Sequence, residues 1–201
     1  MYWHVGFLDK ALKEFQKVLV LDPGNRLAQH RMAVMLVYQG KYEEGLRILR
    51  QIPRGFNPPL VTYHYAWALV LSGQGEEAST VIEKYLDSLP KDPGGLVTSV
   101  RAILRAKAGD KGGAEQDIRK AEQLGQGFGH FHHTAYNIAE AYALLHQPGP
   151  AVQWLRRVID DGLPCYPLLA NDHNLNNIRQ DPEFVALMAE LKDQWERWAA
   201  L

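Results

Sequence analysis

A glycine followed five positions later by a small residue recurs four times along this chain, as Gly6 with Ala11, Gly40 with Gly45, Gly73 with Ala78, and Gly109 with Ala114. A fifth unit keeps the small residue, Ala151, and carries His146 where the glycine would stand. Successive small residues lie 34, 33, 36 and 37 positions apart. A period of that length means that one supersecondary unit is repeated and that each unit buries its apolar face against its neighbours.

The spacing inside a unit says what the unit is. After the glycine, Leu8, Ala11, Leu12, Phe15, Val18 and Leu19 fall at steps of three and four, as do Ala78, Val81, Ile82 and Tyr85, and Ala151, Val152, Leu155 and Val158. Before it, Met32, Ala33, Leu36 and Val37 follow the same rule, and so do Tyr65, Ala66 and Leu69. This is the helical period. Each unit therefore reads as two antiparallel helices. The glycine ends the first, and the small residue lets the second approach closely. Helix stops are expected at Leu21-Asp22-Pro23-Gly24, Lys91-Asp92-Pro93-Gly94 and Gln147-Pro148-Gly149-Pro150. β-Branched stretches such as Val18-Leu19-Val20 sit inside the helical pattern, so the expected class is all-α.

At these residues the chain resembles the tetratricopeptide repeat (TPR) family. The stretch from Gly6 through Ala11, Phe15 and Leu19 to Pro23 matches the second half of that motif. The second unit keeps Gly40, Tyr42 and Leu49 and ends at Pro53; the third keeps Ala66, Gly73, Ala78 and Pro90; the fifth keeps Tyr142, Ala151 and Leu155. The fourth departs, with Arg101 and Arg105 where the motif has buried apolar residues. Either that helix turns so that Val97, Val100 and Leu104 pack, or the register shifts there. The resemblance divides the chain into residues 1–161, tetratricopeptide-type repeats with the first incomplete, and residues 162–201, a loop plus a C-terminal capping helix. It implies a right-handed superhelical solenoid of antiparallel helix pairs. Residues 162–184 look like the tail that closes repeat regions of bacterial signalling proteins, where such repeats follow a kinase, cyclase or winged-helix domain. Asp181 reads as an N-cap with Pro182 at the first helical position, ahead of a stripe of Phe184, Leu187, Met188, Leu191 and Trp195.

Residues 1–5 read as the last turn of a helix, with Tyr2 on its apolar side. Leu12, Phe15 and Leu19 are then expected to lack a covering helix. That suggests a piece of a longer protein, or else a homodimer through the incomplete N-terminal repeat.

Stacked pairs line a concave side with the first helix of each pair. The expected partner-binding groove comprises His30, Val34, Tyr63, Trp67, Ser99, Ile103, Tyr136 and Glu140. It is aromatic and aliphatic, suited to a protein or peptide partner, and it lacks the paired asparagines and lysines that clamp acidic C-termini in some members of the family. The same residues, at helical spacing, also read as ordinary packing between helices.

Charge adds little. The 201 residues hold 22 Lys+Arg against 23 Asp+Glu, so the chain has no overall basic footprint for nucleic acid. The short runs Arg47, Arg50, Arg54 and Arg156-Arg157 read as wet helix faces. No apolar run has membrane-spanning length, and the single cysteine, Cys165, gives no sign of an oxidising compartment, which fits a cytoplasmic setting. No cofactor and no catalytic residue are expected. Gly125-Gln126-Gly127-Phe128-Gly129 lacks the residues of a phosphate loop and reads as a flexible connector. Cys165 with His173 has no third orienting group in sequence, and Asp160-Asp161, able to act with Asp172 as carboxylates, also read as a solvated acidic pair at a helix end. His130, His132 and His133 are the one set able to offer a metal several imidazoles. Adjacent side chains on a helix diverge by about 100°, so capping and groove-lining roles compete with that reading.

Overall fold

The computed structural model describes residues 2–53, 55–56, 58–88 and 91–200. Arg54 and Pro90, used in the reading above, lie outside them. Among the described residues there are eleven α-helices and no strand: α1 (Leu8–Leu21), α2 (Arg26–Tyr38), α3 (Tyr42–Leu49), α4 (Pro58–Leu71), α5 (Gly75–Ser88), α6 (Leu96–Lys107), α7 (Lys111–Gly125), α8 (Phe131–Leu144), α9 (Pro148–Asp160), α10 (Tyr166–Asn171) and α11 (Pro182–Ala199). Short 3-10 segments cover Pro93–Gly95 and His173–Ile178. None of the described helices is long and apolar enough to cross a membrane.

The repeat glycines do what their spacing requires. Gly6, Gly40, Gly73 and Gly109 take φ of 84°, 76°, 80° and 79°, and His146 holds the equivalent left-handed turn at φ 57° without a glycine's freedom. Five residues on, close approach is literal: a Cβ on Gly45 would sit 2.8 Å from Val37 Cγ2 and 2.9 Å from the Ala33 carbonyl. The hairpins α2/α3, α4/α5, α6/α7 and α8/α9 follow, and the first helices of successive pairs also touch, α2 with α4, α4 with α6, and α6 with α8. The helix α8 is buried from Phe131 through Ala141. It is rich in alanine and carries its polar residues buried along with the apolar ones, as a helix enclosed on every side does.

The irregular fourth unit keeps its place by replacing apolar packing with an ion cluster. Val97 and Val100 are buried and Leu104 packs against the core, as one of the two expectations for this helix held. Arg101 and Arg105 reach across to α7, where Asp117 is buried. Arg101 donates to it through Nε and Nη2, each at 2.9 Å, and Arg105 Nη1 lies 3.0 Å away.

Two local expectations are corrected. Gln147-Pro148-Gly149-Pro150 starts a helix rather than stopping one, because proline fits the first turn, where N–H groups have no intrahelical partner. At the N-terminus Trp3, not Tyr2, turns inward: Trp3 is buried and Tyr2 exposed. The Trp3 ring packs at a tilt 5.7 Å from that of Tyr38, with Arg31 over it at 5.2 Å.

The tail runs back over the inner helices. The 173–178 segment packs on α8, α10 touches α2, and α11 packs on α9 and α10. Asp181 caps α11 by accepting from the Glu183 and Phe184 N–H groups at 3.0 and 3.2 Å. Phe184, Leu187 and Leu191 are buried, while Trp195 reaches the first unit and donates to the Gly6 carbonyl at 3.3 Å.

Candidate functional site

The residues expected to line an open groove are all inside. His30, Val34, Tyr63, Trp67, Ser99, Ile103, Tyr136 and Glu140 are each at most 1% exposed. The expectation of a free concave surface at these positions is therefore corrected. The inner faces of α4 and α8 meet each other directly, and the tail fills what remains. An aromatic and aliphatic face left in water would forfeit the burial that drives folding, and the chain's own tail supplies that burial.

Burying this face demands partners for its polar groups. Trp67 Nε1 donates to Glu140 Oε2 at 2.9 Å, and Asn174 Nδ2 donates to Glu140 Oε1 at 2.6 Å. The Tyr136 hydroxyl donates to Asp172 Oδ2 at 2.8 Å, and the Asn174 backbone N–H to Asp172 Oδ1 at 2.8 Å. Tyr63 donates to Asn137 Oδ1 at 3.4 Å, and Asn137 in turn donates to Ser99 Oγ at 2.9 Å. Burial, and then the neighbouring Asp172, push the Glu140 carboxyl well above its ordinary range. Glu140 so keeps its proton above the usual carboxyl range. The pair is enclosed by Trp67, Tyr136 and Asn174, and it holds the tail onto α8.

A second buried cluster is made of imidazoles. His30 Nε2 lies 3.2 Å from His64 Nδ1, and His64 Nδ1 lies 2.7 Å from the Leu60 carbonyl. The His64 ring meets His133 edge-on at 5.5 Å, and His133 lies 4.4 Å from His132 between ring centroids. His4, on the turn before α1, meets His132 at 5.1 Å and His133 at 6.4 Å. Burial lowers all five: His4 to about 3, His30 and His132 to about 4, and His64 and His133 well below their ordinary value. In the fold they are neutral imidazoles at neutral pH.

The set expected from sequence needs one change. His132 and His133 are buried as a pair, but His130 is exposed at the rim, and His4 takes the third position. The donor atoms of His4, His132 and His133 all lie within 4.8 Å of one another. Sequence reasoning missed His4 because it is 128 positions away from His132 and belongs to a different unit.

The remaining candidates do not converge. Cys165 is buried, and burial pushes its thiol up to about 12, far from a nucleophile's range. His173 faces the Tyr42 hydroxyl at 3.5 Å. Asp161 pairs with Arg157 at 3.7 Å, whereas Asp172 belongs to the pair with Glu140. Of the basic runs, Arg156 pairs with Glu190, Arg50 with Glu77, and Arg157 lies over the Phe131 and Trp154 rings.

No family model matches the chain, and neither a curated protein nor a solved structure matches it significantly.

Proposed function

We propose that this chain is a non-enzymatic interaction module of tetratricopeptide type, its helix pairs wound as a right-handed solenoid, which binds a partner protein at its first hairpin rather than in its filled interior. One observation carries this reading. Of the six large apolar side chains that are well exposed among the described residues, Val18, Val20, Leu21 and Leu27 lie at the end of α1 and the start of α2, with Val20 and Leu21 at 80% and 88% exposure. Large apolar side chains gathered in water on one hairpin mark an interaction site.

The shape of the vacancy indicates the occupant. The outer helices α3, α5 and α7 each pack against a helix on both sides, and α9 packs against α8 and α11, while the main helix contact of α1 is α2 alone. Its free side, carrying Val18 and Leu21 at a three-residue step, suits an amphipathic helix of the partner. The resemblance of residues 162–184 to tails of bacterial signalling proteins supports a place for this module beside a signalling domain.

A photoreactive amino acid at Leu21, with a matching control at exposed Arg197, tests the reading in lysate. The expected result is one crosslinked partner protein from position 21, absent from position 197 and abolished by Val20→Glu. No crosslinked product at position 21 overturns the proposal. A second copy of this chain as sole product replaces it with self-association.

A further inference from the structure

We propose that His4, His132 and His133 form a zinc site that ties the N-terminal turn to the start of α8. Three imidazoles from two distant stretches of chain place their donor atoms within 4.8 Å of one another. Around a tetrahedral zinc, ligand nitrogens stand about 3.4 Å apart, so the site closes by side-chain movements of about 1 Å. Such movements are open to His4, which lies on a turn outside any helix.

The hydrogen bonding supplies a separate indication. His4 Nε2 and His132 Nε2 are both shielded from solvent and have no hydrogen-bond partner. His132 itself is 6% exposed. Unpartnered ring nitrogens on two histidines whose donor atoms come within 4.8 Å of each other are costly unless something between the rings accepts a lone pair from each. A cation does so. The His133 ring is held by Trp3, stacked at 5.9 Å, and by His64 edge-on.

The donor set selects the metal class. Three neutral imidazoles with no carboxylate or thiolate suit zinc, and copper(II) and nickel(II) share that preference. Three protein ligands leave a fourth position for water. The consequence for the fold is mechanical: residues 2–6 become fastened to the inner helix α8, adjoining the hairpin proposed above to meet a partner.

The test uses the full chain freed of metal by chelator, with zinc chloride as titrant in calorimetry and the cobalt(II) ligand-field spectrum as a second readout. One zinc is expected to bind per chain with a rise in melting temperature. His4→Gln and His132→Gln should each weaken binding by at least tenfold, roughly the smallest loss seen on disturbing a metal's ligand shell. His130→Gln should bind as wild type. Absence of zinc binding by the wild-type chain overturns the site and assigns the free nitrogens to ordered water. So does binding that survives His4→Gln unchanged, or that is lost with His130→Gln alone. His4 lies outside the helices, so its variant remains informative even where His132→Gln disturbs folding.

Discussion

Replacing Glu140 with glutamine changes the pH dependence of stability in a direction that the buried carboxyl pair fixes. In the fold, burial and Asp172 keep Glu140 protonated well above its ordinary value of 4.5, whereas the unfolded chain ionises near that value. The folded state therefore binds one more proton than the unfolded state across the interval above 4.5. The stability this contributes is fully present below the unfolded value and is lost as pH rises toward the folded one. Each pH unit in that interval costs about 1.4 kcal/mol. Glutamine has one acceptor oxygen for the two donors, Trp67 Nε1 and Asn174 Nδ2, so at pH 4 the variant should be less stable by about 1–2 kcal/mol. It cannot ionise, so the deficit should shrink by about 1.4 kcal/mol per unit as pH rises, with the two proteins crossing near pH 5–6. The difference between the proteins cancels every histidine's contribution. Urea unfolding followed by tryptophan fluorescence at pH 4, 5, 6 and 7 measures it. A difference that stays constant to within about 0.5 kcal/mol over that range would refute the raised Glu140 carboxyl.

Asp117→Ala leaves the Arg101 and Arg105 guanidiniums without their buried acceptor and should cost about 3 kcal/mol by urea unfolding, while Arg50→Ala, at an exposed pair, should cost less than about 1. His146→Gly removes a left-handed strain from a position that four other units fill with glycine, and should stabilise the protein by about 0.5–1 kcal/mol in the same assay. His30→Gln alters acid sensitivity: burial lowers His30 to about 4, so its contribution is present above 6.5 and lost as pH falls through 4. Wild type should lose about 3 kcal/mol more than the variant over that interval, read from melts at pH 7, 6, 5 and 4.5.

What the sequence discloses about this protein follows the number of repeat periods that separate two residues. Contacts within a unit were plain: the left-handed turns, the small residue of each second helix and the Asp181 cap all stand where spacing put them. Contacts one period apart were also within reach. His30 meets His64 at a separation of 34, Tyr136 meets Asp172 at 36 and Glu140 meets Asn174 at 34. The last two pairs carry a message overlooked in the reading of residues 162–201 as loop and cap. The segment 173–178 stands one period beyond α8 and occupies the place of a next inner helix.

Contacts two periods apart are another matter. Trp67 to Glu140 spans 73 residues and Tyr63 to Asn137 spans 74. Whether such residues face each other across an open hollow or touch depends on the angle between successive units. That angle is set by the side-chain volumes packed between them, such as the alanines of α8, and periodicity carries no measure of it. An apolar inner face has the same spacing whether a partner or the chain's own tail covers it. The polar residues on it are the better guide. Glu140 and Asn137 on an otherwise greasy helix need buried partners if the face is closed, and Asp172 and Asn174, in a tail without helical periodicity, are residues able to supply them. Glu140 thus marks the helix face on which the tail lies, and its proton is the quantity by which that enclosure can be measured.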